Sequence, residues 1–321
     1  MAAEAVITVN PAIRPGVSPP VEMALEAQHP RAVRAKATVA DYWALTKPEI
    51  NFLIAIATFA GFHLGSLNRS HFPFGLLFHT LLGTLLVASG TGTLNQYIER
   101  RFDAQMRRTA RRPLAAGRME ASNALWLGIS LSVAGAVYLA LAANILASLL
   151  AVLTLLSYLF LYTPLKRRTP FCALVGAFPG AMPPLIGYAA ADGRLSSAAW
   201  VLYAILFLWQ FPHFMAIAWM YREDYDRAGY FVLPHKEPRA RFVSLQTMLP
   251  LLALLPVSLL PTPPGLLGLL YLVGALALGL GFFNYGAQFV LHRSSAAARR
   301  LLFASIIYLP SLLVLMILAT G

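Results

Sequence analysis

Cysteine is all but missing. Cys172 is the single one in 321 residues, which excludes an intrachain disulfide framework and a thiolate metal cluster. Charge is scarce as well. Asp, Glu, Lys and Arg make up 12% of the chain against 58% hydrophobic residues, a balance that excludes a soluble globular protein and places the chain in a bilayer. Acids are scarcer than bases, 13 against 25, for a net charge of +12. Such an excess suits either nucleic acid or the cytoplasmic loops of a membrane protein, and its distribution decides between them. Residues 1–40 lack the apolar run of a secretory signal, and their Glu4, Glu22 and Glu26 do not suit a mitochondrial transit segment. Rich in Ala, Pro and Val, they read as a flexible cytosolic tail.

What the chain has in abundance is long apolar runs. Segments of membrane-spanning length lie at about 50–67, 74–97, 121–142, 145–162, 171–190, 199–219, 242–260, 266–290 and 301–319. The expected fold is therefore an all-α polytopic membrane bundle of nine transmembrane helices, with residues 41–321 forming one domain. Pro179, Pro183 and Pro184 interrupt the fifth span. Proline inside a membrane helix is tolerated where neighbours or a cavity satisfy the freed backbone, which hints at an internal cavity. Of the 25 Lys and Arg, all but Arg69 and Arg194 fall in the tail or in alternate loops on one side. The amino terminus is then cytoplasmic and the carboxyl terminus outside. Topology accounts for the basic excess, so no nucleic-acid partner is implied.

One stretch stands apart, TGTLNQYIERRFDAQMRRTARRPLAAGRM at 91–119, because it sets acids and arginines at the end of an apolar span. Asn95, Glu99 and Asp103 recur every four residues. If the second span stays helical for a few further turns, all three oxygen-bearing side chains share one face. Arg108 and Arg112 stand just beyond. Acceptors for a hard cation beside donors for an anion suit magnesium and phosphate. A loop whose arginines set topology and whose acids merely pair with them is the plainer alternative, and the regular spacing argues against it.

Other loops share that face. LYTPLKRRTP at 161–170 carries Lys166, Arg167 and Arg168, and the segment after the sixth span adds Glu223, Asp224 and Asp226. The sixth span itself holds Gln210, Pro212 and His213. A histidine within a span, behind a proline, is a functional candidate. With an unbroken helix it would lie three turns, about 16 Å, from Asp224 on the same face.

Carboxylates on two loops can hold one or two Mg²⁺, and the ions can bridge a diphosphate that Lys166, Arg167, Arg108 and Arg112 also grip, neutralising leaving-group charge as it develops. An apolar bundle beneath accepts a long tail, and aromatic faces can stabilise an allylic cation. Such a site could ionise a prenyl diphosphate in the presence of a lipid-soluble acceptor. A polytopic transporter would also show broken helices and buried polar groups, but its site belongs near the midplane.

The same residues carry a family resemblance. The 91–119 stretch, with RTARRPLAAG at 108–117, resembles the first acidic motif of the membrane prenyltransferases that include the 4-hydroxybenzoate polyprenyltransferases. LTKPEI at 45–50, YTPLKRRT at 162–169, WQFPHF at 209–214 and YREDYDRAG at 221–229 look more specifically like the protohaem IX farnesyltransferase (haem O synthase) family. The resemblance implies transfer of farnesyl from farnesyl diphosphate to a vinyl group of haem B with addition of water, in a bacterial inner membrane and with the site on its cytoplasmic side. It implies Asn95, Glu99 and Asp103 as the first metal and diphosphate site with Arg108 and Arg112 beside it, Lys166 and Arg167 on diphosphate, and Asp224 with Glu223 as the second acidic site. Asp103, Asp224 and His213 are the implied catalytic residues. His213 is expected to orient haem, by iron ligation or a hydrogen bond, or to handle the proton of the attacking water. Partners implied are a haem A synthase or a terminal oxidase. Prenylation of an aromatic acceptor such as 4-hydroxybenzoate is the alternative, and the sparse second acidic motif counts against it.

Overall fold

The computed structural model describes residues 37–234 and 238–320. Most of the 1–40 tail thus lies outside the described residues.

A short helix, α1 (Val39–Leu45), precedes the bundle. Thr38 and Asp41 cap it reciprocally, the Thr38 side chain accepting from the Asp41 N–H and the Asp41 carboxylate from the Thr38 N–H. Pro48 then opens α2 (Pro48–Ser66) at its first turn, where the missing N–H goes unneeded. The bundle continues with α3 (Phe74–Asp103), α4 (Ala121–Ala142), α5 (Ile145–Leu156), α6 (Cys172–Gly180), α7 (Pro183–Asp192), α8 (Ser197–Met220), the short α9 (Arg222–Arg227), α10 (Pro238–Leu259), α11 (Leu266–His292) and α12 (Ser295–Thr320). Helix α5 runs on through a π-helical turn at Ser157–Tyr162 to Leu165. Among the described residues, nine helical segments are long and apolar enough to cross a membrane, as the sequence implies.

The exceptions to regular helix position the site. At 30 residues, α3 is about 45 Å long, well beyond an apolar bilayer core of about 30 Å. The second span therefore does not end near Tyr97; it carries Glu99 and Asp103 out on the same continuous helix. The fifth span is divided at Ala181 and Met182 into α6 and α7 and is the most enclosed of the nine. Gln210 of α8 fills the break, donating to the Ala177 carbonyl at 3.2 Å. Helices α2 and α7 approach so closely that a Cβ at Gly187 would stand 2.0 Å from the Thr58 carbonyl oxygen, and one at Gly61 2.0 Å from that of Pro184. The sixth span ends where the sequence places it: α8 closes at Met220 and Tyr221 leaves the helical region, with φ −109° and ψ 21°. The condition for setting His213 and Asp224 on one face, an unbroken helix between them, is therefore not met. A groove of about 770 Å³ between α11 and α12, lined by Phe282, Tyr285 and Ser311 among others, shares no lining residue with the acidic cluster.

Candidate active site

Three oxygen acceptors line one face of the end of α3, as their spacing of four requires. Asn95, Glu99 and Asp103 are 2%, 6% and 1% exposed. Charge so deeply placed must be paired, and each of the three is met by a cation from a different part of the chain. Lys47 Nζ donates to Asn95 Oδ1 at 2.8 Å, Lys166 Nζ to Glu99 Oε1 at 2.8 Å, and Arg112 to Asp103 Oδ2 at 2.7 Å. Three loops are thereby fastened to one helix face.

A fourth loop closes on them. Asp224 in α9 is 7% exposed, and its carboxylate accepts from the Arg108 backbone N–H at 3.3 Å and from Arg227 at 3.2 Å. The Phe231 N–H donates to the Lys166 carbonyl at 2.7 Å. The two acidic segments that lie far apart in sequence therefore share one site.

Lys47 was not marked by charge patterning. It sits in the left-handed region, φ 54°, between α1 and α2, a conformation that costs a non-glycine residue energy and needs support. That support is visible. Gln96 donates to the Leu45 carbonyl at 3.0 Å, and Asn51 to the Thr46 carbonyl at 3.0 Å and to Ser89 Oγ at 2.8 Å. Burial, then the nearby Arg112 guanidinium, pull the Lys47 ammonium down to about 7. Lys166 goes the other way. Burial would lower it, but the Glu99 carboxylate more than offsets this and holds it well above the usual lysine range. The aromatic faces of Tyr162 and Tyr158 lie 4.5 and 5.9 Å from Lys166 Nζ; their places at four and eight residues before Lys166 were the signal for them.

The remaining residues divide. Arg167 and Arg108 are exposed, stacked over Phe102 at 4.3 Å and Tyr221 at 5.2 Å. The Glu223 side chain is 79% exposed, 3.8 Å from Arg222, and does not join the enclosed cluster. His213 is held within the bundle: its Nδ1 lies 2.8 Å from Ser305 Oγ, and its ring stacks on Trp209 at 4.8 Å. Trp209 in turn donates to the Ser305 carbonyl at 2.8 Å. None of these contacts belongs to the acidic cluster.

The donor set suits a hard cation, being built of carboxylate and amide oxygens. Asp103 Oδ1 is buried without a hydrogen-bond partner, the kind of vacant acceptor that an ion would use. Among the described residues no group of three His, Cys, Asp or Glu side chains is already gathered, so such an ion would also draw on Asn95 or on the substrate.

Residues 54–307 match the UbiA prenyltransferase family. The chain belongs to that family. It is 51% identical over 285 residues to the protoheme IX farnesyltransferase of Solibacter usitatus, covering 87% of this chain and 98% of that protein. In fold it resembles digeranylgeranylglyceryl phosphate synthase, with a TM-score of 0.68 at 17% identity over 88% of this chain and 98% of that one. It also resembles a UbiA homolog from Archaeoglobus fulgidus solved with GPP and Mg²⁺, with a TM-score of 0.58 at 16% identity over 86% and 99%. Membership in this family fits the prenyl-transfer reading of the cluster and lends nothing to a transporter.

Proposed function

We propose that this chain, acting through residues 41–321 as one domain, transfers the farnesyl group of farnesyl diphosphate to a vinyl group of haem B and yields the hydroxyethylfarnesyl side chain of haem O. The observation that carries this reading is the row of acceptors on α3, each held by a cation from another loop, at one end of an apolar bundle. In support stand the relative named for that activity at 51% identity and the homolog solved with a prenyl diphosphate and Mg²⁺.

In the reaction the bond between farnesyl C1 and the diphosphate oxygen breaks, and a vinyl carbon of haem bonds to C1. Water adds to the cation left beside the porphyrin and loses a proton. Lys47, Lys166 and Arg112 supply positive charge for the diphosphate, with Arg108 and Arg167 at the exposed rim. The faces of Tyr158 and Tyr162 suit a developing allylic cation. Asn95, Glu99, Asp103 and Asp224 are the residues that would hold Mg²⁺, which when bound neutralises leaving-group charge. His213, its ring fixed by Ser305 and Trp209, is assigned to orient haem or to accept the proton of the attacking water. The site is assigned to the cytoplasmic side of a bacterial inner membrane, a reading that the clustering of Lys and Arg in alternate loops supports. A haem A synthase or a terminal oxidase would consume the product.

The test is incubation of the purified protein with haem B, farnesyl diphosphate and Mg²⁺, followed by mass analysis of the haem. Haem heavier by a farnesyl group plus water, with about 100-fold less or none from Asp103→Ala, is the expected result. Unchanged haem under conditions where 4-hydroxybenzoate is prenylated would overturn the acceptor.

A further inference from the structure

The loop after α9 brings to the acidic cluster a side chain that the charged motifs do not account for. Helix α9 ends in a turn closed by glycine: the Tyr230 N–H donates to the Tyr225 carbonyl at 2.9 Å and the Gly229 N–H to that of Asp226 at 3.3 Å. Gly229 takes φ 69°, the left-handed conformation this ending requires and glycine adopts without penalty. The reversal turns Tyr230 into the protein. The bond from the Phe231 N–H to the Lys166 carbonyl then fixes the loop to the very residue whose side chain holds Glu99.

Tyr230 is 4% exposed. Its ring packs edge-on to Phe102 at 5.7 Å and to Tyr225 at 6.0 Å, with Met106 and Ala228 in the same cluster. Phenylalanine would serve that packing equally, so the hydroxyl is what needs explaining. It is buried and closes no hydrogen bond of ordinary geometry within the protein, although the Glu99 carboxylate stands near enough to act on it as an acceptor; a hydroxyl so placed is open to a better partner from outside. The charges that act on it are Glu99, Lys166 and Asp103. A phenol is uncharged at working pH, so it enters the site as a neutral donor.

We propose that the Tyr230 hydroxyl is a diphosphate-binding donor of this site, reaching a non-bridging oxygen of the prenyl diphosphate from the loop after α9. The inference rests on the prenyl-diphosphate reading above and not on the identity of the acceptor. Lys166 and Arg112 are already matched to Glu99 and Asp103, and a neutral donor adds a bond without adding charge. That bond strengthens as negative charge builds on the departing diphosphate.

Wild type and Tyr230→Phe, full length in lipid nanodiscs with Mg²⁺, are titrated by calorimetry with inorganic pyrophosphate and with farnesyl diphosphate, and their melting is followed in parallel. The variant should bind both about tenfold more weakly, about 1.4 kcal/mol, while melting at or above the wild-type temperature because a buried hydroxyl without a hydrogen bond of ordinary geometry has gone. Unchanged affinity for both would overturn the assignment, as would a lower melting temperature with normal pyrophosphate binding, which would make the hydroxyl structural. A wild type that binds no farnesyl diphosphate overturns both this and the proposed function. A tenfold loss in the variant, with wild type binding farnesyl diphosphate but leaving haem B unaltered, would overturn the haem acceptor and uphold Tyr230.

Discussion

Lys166 Nζ lies 2.8 Å from Glu99 Oε1, with side chains only 13% and 7% exposed. Two ions withdrawn from water to this degree depend on each other: removing one leaves the other uncompensated. Lys166→Met should therefore cost about 3–5 kcal/mol of stability, read by denaturation in detergent. Adding Glu99→Gln should restore most of that loss without restoring prenyl transfer. A single variant that melts like wild type would show the pair to be far better hydrated than its burial implies.

Lys47 predicts a pH dependence whose sign is fixed. Its folded value is about 7 against 10.5 ordinarily, lowered by burial first. The ammonium is thus charged below pH 7 and largely neutral above it. Pyrophosphate affinity in wild type, divided by that in Lys47→Met to remove titration of the ligand, should fall as pH rises from 6 to 8. A flat ratio would exclude Lys47 from anion binding. Between pH 7 and 10 the unfolded chain holds the proton that the folded one has lost, so this lysine's contribution to stability rises with pH across that window.

The contact of α2 with α7 leaves no space for a side chain at Gly187. Gly187→Val should lower the melting temperature in detergent by the equivalent of about 1–3 kcal/mol or more, because the obstructing atom is the Thr58 carbonyl oxygen and backbone cannot turn aside as a side chain does. A wild-type melt would mean that the two helices separate easily.

The nine spans were legible because each is a run of apolar residues long enough to cross, and length and hydropathy are local properties. Asn95, Glu99 and Asp103 were legible because a helix converts a spacing of four into a shared face. Glu223 shows the limit of such reasoning. Beside Asp224 in sequence, it stands about 100° away around a helix, and only the docking of α9 decides which of the two faces inward. Lys47 and Tyr230 were hidden for a different reason. Each reaches the site through a left-handed backbone position, Lys47 at its own and Tyr230 after Gly229, and neither turn leaves a periodic trace.

The π-turn at Ser157–Tyr162 takes up one residue more than a regular helix would over the same rise. Everything beyond it is rotated by about 100° relative to an uninterrupted α-helix, and Lys166 owes its heading to that offset. Straightening that turn into regular helix with the residue count unchanged would keep an equally greasy fourth span, the same topology and every motif letter, yet aim the lysine away from Glu99; deleting one residue along with it would return the lysine to its heading.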